Sequence, residues 1–141
     1  MISQLTVFIQ NEEGRLASMC RAIADAGINM HALFLADTQD FGVARIFCDT
    51  PKAAKATLEA NGYRVSITPV LAVRVPGRPG GLADLLDFLA KSDVSIEYGY
   101  CFPKNDDVAI DVLKIDDASI EDELREAGYR IVSPEEIYAC D

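Results

Sequence analysis

Residues 62–65 (GYRV) recur as residues 128–131 (GYRI), an offset of 66 residues. The same offset carries apolar residues onto apolar residues along both halves of the chain. The clearest pairs are Leu5 with Leu71, Val7 with Val73, Leu16 with Leu82 and Leu58 with Leu124. Because this alignment needs no gap, we interpret residues 1–67 and 68–133 as two copies of one fold. The short tail that follows is assigned to the second domain, which then spans residues 68–141.

The hydrophobic pattern of each copy predicts the element order strand, helix, strand, strand, helix, strand. Residues 5–9 alternate as in a strand buried on one face, whereas residues 16–23 carry apolar side chains at helical spacing. The predicted strands are 4–10, 28–36, 43–48, 64–68, 71–75, 94–102, 108–115 and 129–132, and the predicted helices are 15–26, 52–60, 82–91 and 119–127. This order predicts an α+β fold of two tandem ferredoxin-like βαββαβ domains. Each would be an antiparallel sheet with both helices on one face.

The composition excludes several classes of partner. The 141 residues are 50% hydrophobic, which is enough to form a core, and the formal charge of −10 repels phosphate backbones and anionic lipids. We therefore expect neither a nucleic acid nor a membrane as partner. No apolar run approaches the roughly 20 residues of a membrane span. The first residues lack the basic region of a signal peptide, so we expect a cytoplasmic protein.

The chain also lacks the residue sets of common catalytic and metal sites. The widely spaced cysteines form no CxxC pair and are interpreted as reduced thiols: Cys20, Cys48, Cys101 and Cys140. His31 is the only histidine, which excludes a multi-histidine metal site. Residues 76–81 (PGRPGG) lack the Lys-Ser/Thr of a phosphate loop. We therefore expect no enzyme activity, no metal and no cofactor.

Two segments carry a family resemblance. Residues 11–17 (NEEGRLA), at the predicted strand-to-helix turn, and residues 27–30 (GINM), before the next strand, resemble the pattern of ACT domains. Residues 80–83 (GGLA) and 94–96 (VSI) repeat it more loosely, and residues 96–100 (IEYGY) look like the matching segment of small stand-alone tandem-ACT proteins. ACT domains are regulatory modules, usually attached to enzymes of amino-acid metabolism, that pair and bind amino acids at the seam between paired domains.

The resemblance therefore implies a non-catalytic regulator or sensor that binds a free amino acid, or a related small carboxylate, at such seams. An enzyme of amino-acid metabolism could be its partner in trans. The alternative is a regulatory or assembly subunit that acts on a separate enzyme of amino-acid metabolism without a small-molecule ligand of its own.

The predicted ligand site lies where the first helix begins. A helix that starts right after Gly14 presents unpaired backbone N–H groups, which fit a carboxylate, and a glycine lets the ligand come close. By the resemblance, Asn11 and Asn29 match the polar positions that hold the ligand's ammonium and carboxylate groups, whereas the second copy has Gly77 and Ser95 there. The ligand-binding residues so predicted are Asn11, Gly14, Arg15, Leu16, Asn29, Met30, Gly80, Gly81, Leu82, Ser95 and Ile96. Plain turn-forming roles for Asn11 and Gly14 remain open.

Alternation also predicts which residues lie on the sheet face that the helices leave open. They are Thr6, Phe8, Val43 and Phe47 in the first copy and Ala72, Arg74, Ala109 and Leu113 in the second. The face of the first copy is too apolar to lie in water, so we expect a homodimer that covers it. Tyr98, Tyr100 and Phe102 share one strand face and could be core, dimer interface or ligand wall.

Overall fold

The computed structural model describes residues 1–10, 12–37 and 41–141. The helices are α1 (Arg15–Asp25), α2 (Pro51–Ala60), α3 (Gly81–Lys91) and α4 (Ile120–Glu126). The strands are β1 (Ile2–Gln10), β2 (Met30–Asp37), β3 (Phe41–Cys48), β4 (Arg64–Pro76), β5 (Tyr98–Pro103), β6 (Val108–Lys114) and β7 (Arg130–Ile131), with a 3-10 turn at Pro134–Glu136. The predicted βαββαβ order is confirmed in both copies. The last strand of the first copy and the first strand of the second are continuous as β4.

The chain divides into two compact units, which both include part of β4. The first unit comprises Ser3–Thr68 with Pro134–Asp141, and the second comprises Met1–Ile2 with Pro69–Ser133. The strand order is β4-β1-β3-β2 in the first unit and β7-β4-β6-β5 in the second. In the described part of the chain, no helix combines the length and apolar character needed to cross a bilayer.

Each unit packs its helices against one face of its sheet. In the first unit, the alternating residues of β1 are buried against Met19 and Ile23 of α1 and Leu58 of α2. In the second, the same face of β4 is buried against Leu85 and Leu89 of α3. Burial of each such side chain stabilises the fold by about 1.5–3 kcal/mol, so hydrophobic periodicity determines which face each helix covers.

The gap-free alignment of the two copies is wrong in one strand. Leu5 of β1 pairs with Ile46 of β3, whereas the corresponding Leu71 of β4 pairs with Leu113 of β6. β6 is therefore offset from β3 by 67 residues, because Ile46 and Leu113 hold equivalent places. β5 keeps the offset of 66 from β2. The connection between β5 and β6 is thus one residue longer than its counterpart in the first unit.

This extra residue reverses the faces assigned to β6. Ala109 and Leu113 face the helices and contribute to the core, so their predicted place on the open face is wrong. Asp111 lies on the same helix-facing side, where it takes the place of the buried Ala44 of the first unit. Tyr100 pairs with Val112, which puts the aromatic residues of β5 on the open face.

In the first unit, the tail covers part of the predicted open face. Phe47 is completely buried because the Tyr138 ring stacks on it, with ring centroids 6.3 Å apart. The Tyr138 hydroxyl accepts the Ser3 N–H at 2.8 Å. The Asp141 carboxylate accepts backbone N–H groups at the start of α2, at 3.1 and 2.8 Å. The tail therefore packs on the first unit, whereas its position in the sequence had placed it in the second domain. Phe8 remains 36% exposed.

Candidate functional site

Both units open their first helix at a glycine in a left-handed conformation. The φ angle is +83° at Gly14 and +92° at Gly80, values that favour glycine because a side chain there is strained. The helical ladder of α1 begins with the Ser18 N–H bonded to the Gly14 carbonyl at 2.9 Å. The amides of Leu16 and Ala17 precede that ladder and are directed out of the helix end. The start of α1 thus presents the donor groups that a carboxylate requires.

Two guanidinium groups lie beside this helix start. The Arg15 guanidinium lies over the Tyr63 ring, 4.6 Å from its centroid, and the Arg64 guanidinium lies 5.5 Å from the Phe8 centroid. The Tyr63 hydroxyl donates to the Arg15 carbonyl at 3.3 Å. Arg15, Arg64, Phe8 and Gly62 line one cavity of about 390 Å³. Aromatic stacking holds both cations in place, and their charge makes this cavity attractive to a carboxylate.

Leu16 lies on another side of the same helix start. It lines a cavity of about 280 Å³ together with Gln10, Glu12, Leu35 and Gly42. This cavity lies where β1 and β2 end and β3 begins. Asn11, the predicted partner of the ligand's charged groups, lies outside the described residues.

Asn29 and Met30 lie at the other end of the sheet in the first unit. Met30 pairs with Cys48, whereas Asp37 and Ile9 both pair with Gly42, so β2 starts far from the end of β1. The eight residues of Met30–Asp37 span roughly 23 Å, at about 3.3 Å for each step along the strand. Asn29 is exposed, and Met30 packs partly on the core. The first unit therefore does not bring Asn29 and the helix start at Gly14 together.

The predicted residues of the second unit have different environments. Gly80 is exposed, whereas Gly81 is buried and so close to β4 that an added Cβ would lie 2.2 Å from the Pro76 carbonyl oxygen. Ser95 is exposed in the loop before β5, and Ile96 packs partly on the core. Leu82 is 40% exposed on the first turn of α3.

A groove between α3 and β5 brings Leu82 and Ile96 together. It has a volume of about 420 Å³ and also contacts Leu86, Leu113 and Asp111. We call these residues, with Gly99, Tyr100 and Cys101, the α3–β5 groove. Asp111 was not predicted as a site residue, because the gap-free alignment put it on the wrong face. A charged residue at a place where the other copy has a core alanine is the signal that would have found it.

Asp111 is the chemically distinctive residue of the groove. Its side chain is 3% exposed, and its Oδ2 has no hydrogen-bond partner among the described residues. Burial raises the pKa of this carboxyl to about 6. Cys101 is its cross-strand neighbour, and the pKa of that thiol is raised first by burial and then by the Asp111 charge. The groove therefore contains a carboxylate in apolar surroundings and a protonated thiol.

His31 lies beside the residue that binds the C-terminal tail. Its Nε2 lies 2.7 Å from Asp49 Oδ1, which also accepts the Ala139 N–H at 2.7 Å. The bond from Ala139, followed by that from His31, lowers the pKa of the Asp49 carboxyl. Asp49 thus links His31 of β2 to the C-terminal segment.

Two βαββαβ units, each with a glycine turn that opens its first helix, define a tandem ferredoxin-like protein. The chain belongs to the ACT domain family: a family model described as an ACT domain pair matches residues 1–137. The resemblance in the helix-start segments is thereby confirmed. No curated protein sequence matches the chain.

Solved structures support the same fold. The chain is similar to a protein from Bacteroides thetaiotaomicron, with 34% identity, a TM-score of 0.88, and 94% of this chain and 92% of that chain covered. It is similar to the regulatory subunit of aspartate kinase from Thermus thermophilus at 20% identity, a TM-score of 0.67, and coverage of 89% and 90%. The corresponding subunit from Thermus flavus has 16% identity, a TM-score of 0.60, and coverage of 90% and 88%. The two Thermus comparisons concern the fold alone.

Proposed function

We propose that the chain is a non-catalytic cytoplasmic regulator that binds a free amino acid, or a related small carboxylate, at the start of α1. The observation that carries this proposal is the open helix end after Gly14, with Arg15 and Arg64 lining the adjacent cavity. Helix-end amides and two guanidinium groups would hold the carboxylate. The turn at Gly80 and Gly81 is proposed as a second, weaker site, because Gly77 and Ser95 replace the two asparagines of the first copy.

A second copy of the chain would complete the first site. β2 is the edge strand of its sheet order, and three consecutive residues on it are exposed: Leu33 by 42%, Phe34 by 41% and Leu35 by 49%. An exposed apolar edge strand favours pairing with another strand. Antiparallel pairing of β2 with its copy would put the start of one strand, at Asn29, beside the end of the other. That end lies next to the helix start at Gly14, so each site would receive Asn29 from the partner.

Amino-acid binding is tested by thermal unfolding. We expect at least one free amino acid, or its keto-acid relative, to raise the melting temperature by several degrees. Ligand at about 100 times its Kd adds roughly 2.7 kcal/mol to the free energy of unfolding. If none of the common amino acids or keto acids shifts the transition, the chain is better explained as a subunit that acts on a separate enzyme without its own ligand.

Two glycines at opposite ends of α1 provide the matched control. Gly14 and Gly27 both have positive φ, and an added Cβ meets no atom within 4 Å at either position. Gly14→Ala and Gly27→Ala therefore incur similar backbone strain. Only Gly14→Ala should weaken amino-acid binding, and Asn29→Ala should weaken it about tenfold by removing a hydrogen bond to a charged group. Equal affinities of the Gly14 and Gly27 variants would move the site away from the helix start.

The homodimer is tested by sedimentation equilibrium. We expect about twice the 15.4 kDa chain mass at high concentration. The double variant Leu33→Lys with Leu35→Lys should shift the mass toward the monomer, because lysine on an edge strand opposes pairing. The sequence pattern predicted an interface on the open face, but the tail covers part of that face, so we place the interface on β2. Phe8→Glu, on the open face of the same sheet, should therefore leave the dimer intact. A monomer formed by Phe8→Glu alone would show that the open face is the interface.

A further inference from the structure

The α3–β5 groove contains an unpartnered polar atom that the fold of the second unit does not use. Asp111 lies in the middle of β6, where it pairs with Val73 of β4 and Cys101 of β5. Its Oδ2 is buried without a hydrogen-bond partner among the described residues. Buried carboxylate oxygens are normally paired, because desolvation of an unpaired one is costly. Asp111 itself lines the groove, so a ligand bound there is a source for the missing donor.

The two units differ in the residues that form this groove. The equivalent places in the first unit hold Leu33, Leu35 and Ala44, whereas the second unit has Gly99, Cys101 and Asp111. Two leucines are thus replaced by smaller residues and a core alanine is replaced by an acid. A core that needed only packing would keep the small apolar residue, since alanine fills the same place in the first unit. The groove of about 420 Å³ gives the second unit the space for a small molecule, and Asp111 provides the charge.

The residues that line the groove favour a ligand with a single positive charge. Its other contacts are apolar or weakly polar, with Leu82, Leu86 and Ile96 on the helix side and at the start of β5. No lysine or arginine lines it in the part of the chain that the structure describes. A zwitterion would therefore leave its carboxylate without a counter-charge, whereas a monovalent cation would have its charge matched by Asp111.

We propose that the α3–β5 groove binds a small primary amine with an aliphatic or aromatic tail, its ammonium group donating to Asp111 Oδ2 and its tail packed on Leu82, Leu86 and Ile96. This site does not depend on the amino-acid site at the start of α1. It would take the decarboxylated counterpart of an apolar amino acid in preference to the amino acid itself.

The test is calorimetric titration of the full chain with 2-phenylethylamine. We expect saturable binding of the amine. Phenylalanine should bind at this site with an affinity at least about tenfold lower, because it adds an uncompensated carboxylate. Asp111→Asn should lower the affinity for the amine about tenfold or more, whereas Asp87→Asn, an exposed position of α3, should leave it unchanged. Cys101→Leu, which restores the residue type of the first unit, should also weaken binding by filling the groove.

Three results would overturn the proposal. One is the absence of amine binding by the unmodified chain, and another is an unchanged amine affinity in Asp111→Asn. The third is tighter binding of phenylalanine than of 2-phenylethylamine that Asp111→Asn abolishes. If amine binding is absent and Leu86→Lys dissociates an oligomer, the groove is an interface between copies of the chain. The result for amino acids in Gly14→Ala is independent of all these outcomes.

Discussion

Replacement of Gly81 by alanine is expected to lower the free energy of unfolding of the second unit by about 3 kcal/mol. An added Cβ would lie 2.2 Å from the Pro76 carbonyl oxygen and 3.1 Å from its carbon, so it would overlap backbone atoms. A flexible side chain could move away, but here α3 itself would have to shift from β4. The close approach of the helix to the strand is thus the reason for glycine at this position.

Gly128→Ala is the matched control in the same unit. Gly128 has a φ of +94°, and an added Cβ there meets no atom within 4 Å, so only the left-handed strain of about 1 kcal/mol applies. Thermal unfolding should show a melting temperature for Gly81→Ala roughly 10 °C below that of the unmodified chain, with a clearly smaller decrease for Gly128→Ala. Equal decreases would mean that α3 can move away from β4 at little cost.

The fold could be predicted from the sequence because the hydrophobic patterns that determine its strands and helices are local and occur in both copies. Strand and helix periods each depend on a few neighbouring residues, and their repetition at residues 62–65 and 128–131 fixes the boundaries of the copies. The glycines at the helix starts were predicted from the repeated turn segments, and both have the positive φ that favours glycine.

The features that the sequence did not predict depend on the pairing of distant residues. One extra residue between β5 and β6 reverses the faces of β6, because side chains alternate with a period of two. Ala109 and Leu113 were therefore assigned to the open face, and Asp111 was not recognised as facing the helices. The stacking of Tyr138 on Phe47 is likewise a contact between residues far apart in the sequence.

The candidate site shows the same limit. Gly14 was predicted from the donor groups of a helix start, whereas Asn29 came from the resemblance to ACT domains, which gives residue types but no register. The pairing of Met30 with Cys48 and of Ile9 with Gly42 puts the two at opposite ends of one sheet. Their joint role therefore requires a second sheet, which is why the amino-acid site and the homodimer are proposed together.

Asp111→Asn is expected to stabilise the second unit at neutral pH, the reverse of what most buried substitutions do. Burial raises the pKa of the Asp111 carboxyl from 3.8 to about 6, so the folded state holds this proton more tightly than the unfolded state. The stability contributed by the protonated carboxyl is fully present below pH 3.8 and is lost as the pH rises through about 6. At pH 7 the charged carboxylate thus costs about 2–3 kcal/mol relative to a neutral side chain.

The other groups that face Asp111 do not titrate in this range. Cys101 faces it from β5 with a thiol pKa raised above its usual 9.0, while Val73 of β4 and the leucines of α3 carry no charge. Denaturant unfolding from pH 4 to pH 7 should therefore show the stability of Asp111→Asn rising by about 2–3 kcal/mol relative to the unmodified chain. Asp87→Asn, which changes an exposed carboxylate, should show almost no such rise.

A parallel pH dependence of Asp111→Asn and the unmodified chain would mean that Asp111 is already paired in solution. If the rise is found, saturation with 2-phenylethylamine should reduce it, because an ammonium group on Oδ2 stabilises the charged carboxylate. Asp111 would then destabilise the fold at neutral pH, and a cationic ligand would remove that cost, as expected of a binding residue. Ala44, which is buried at the same place in the first unit, is explained by packing alone.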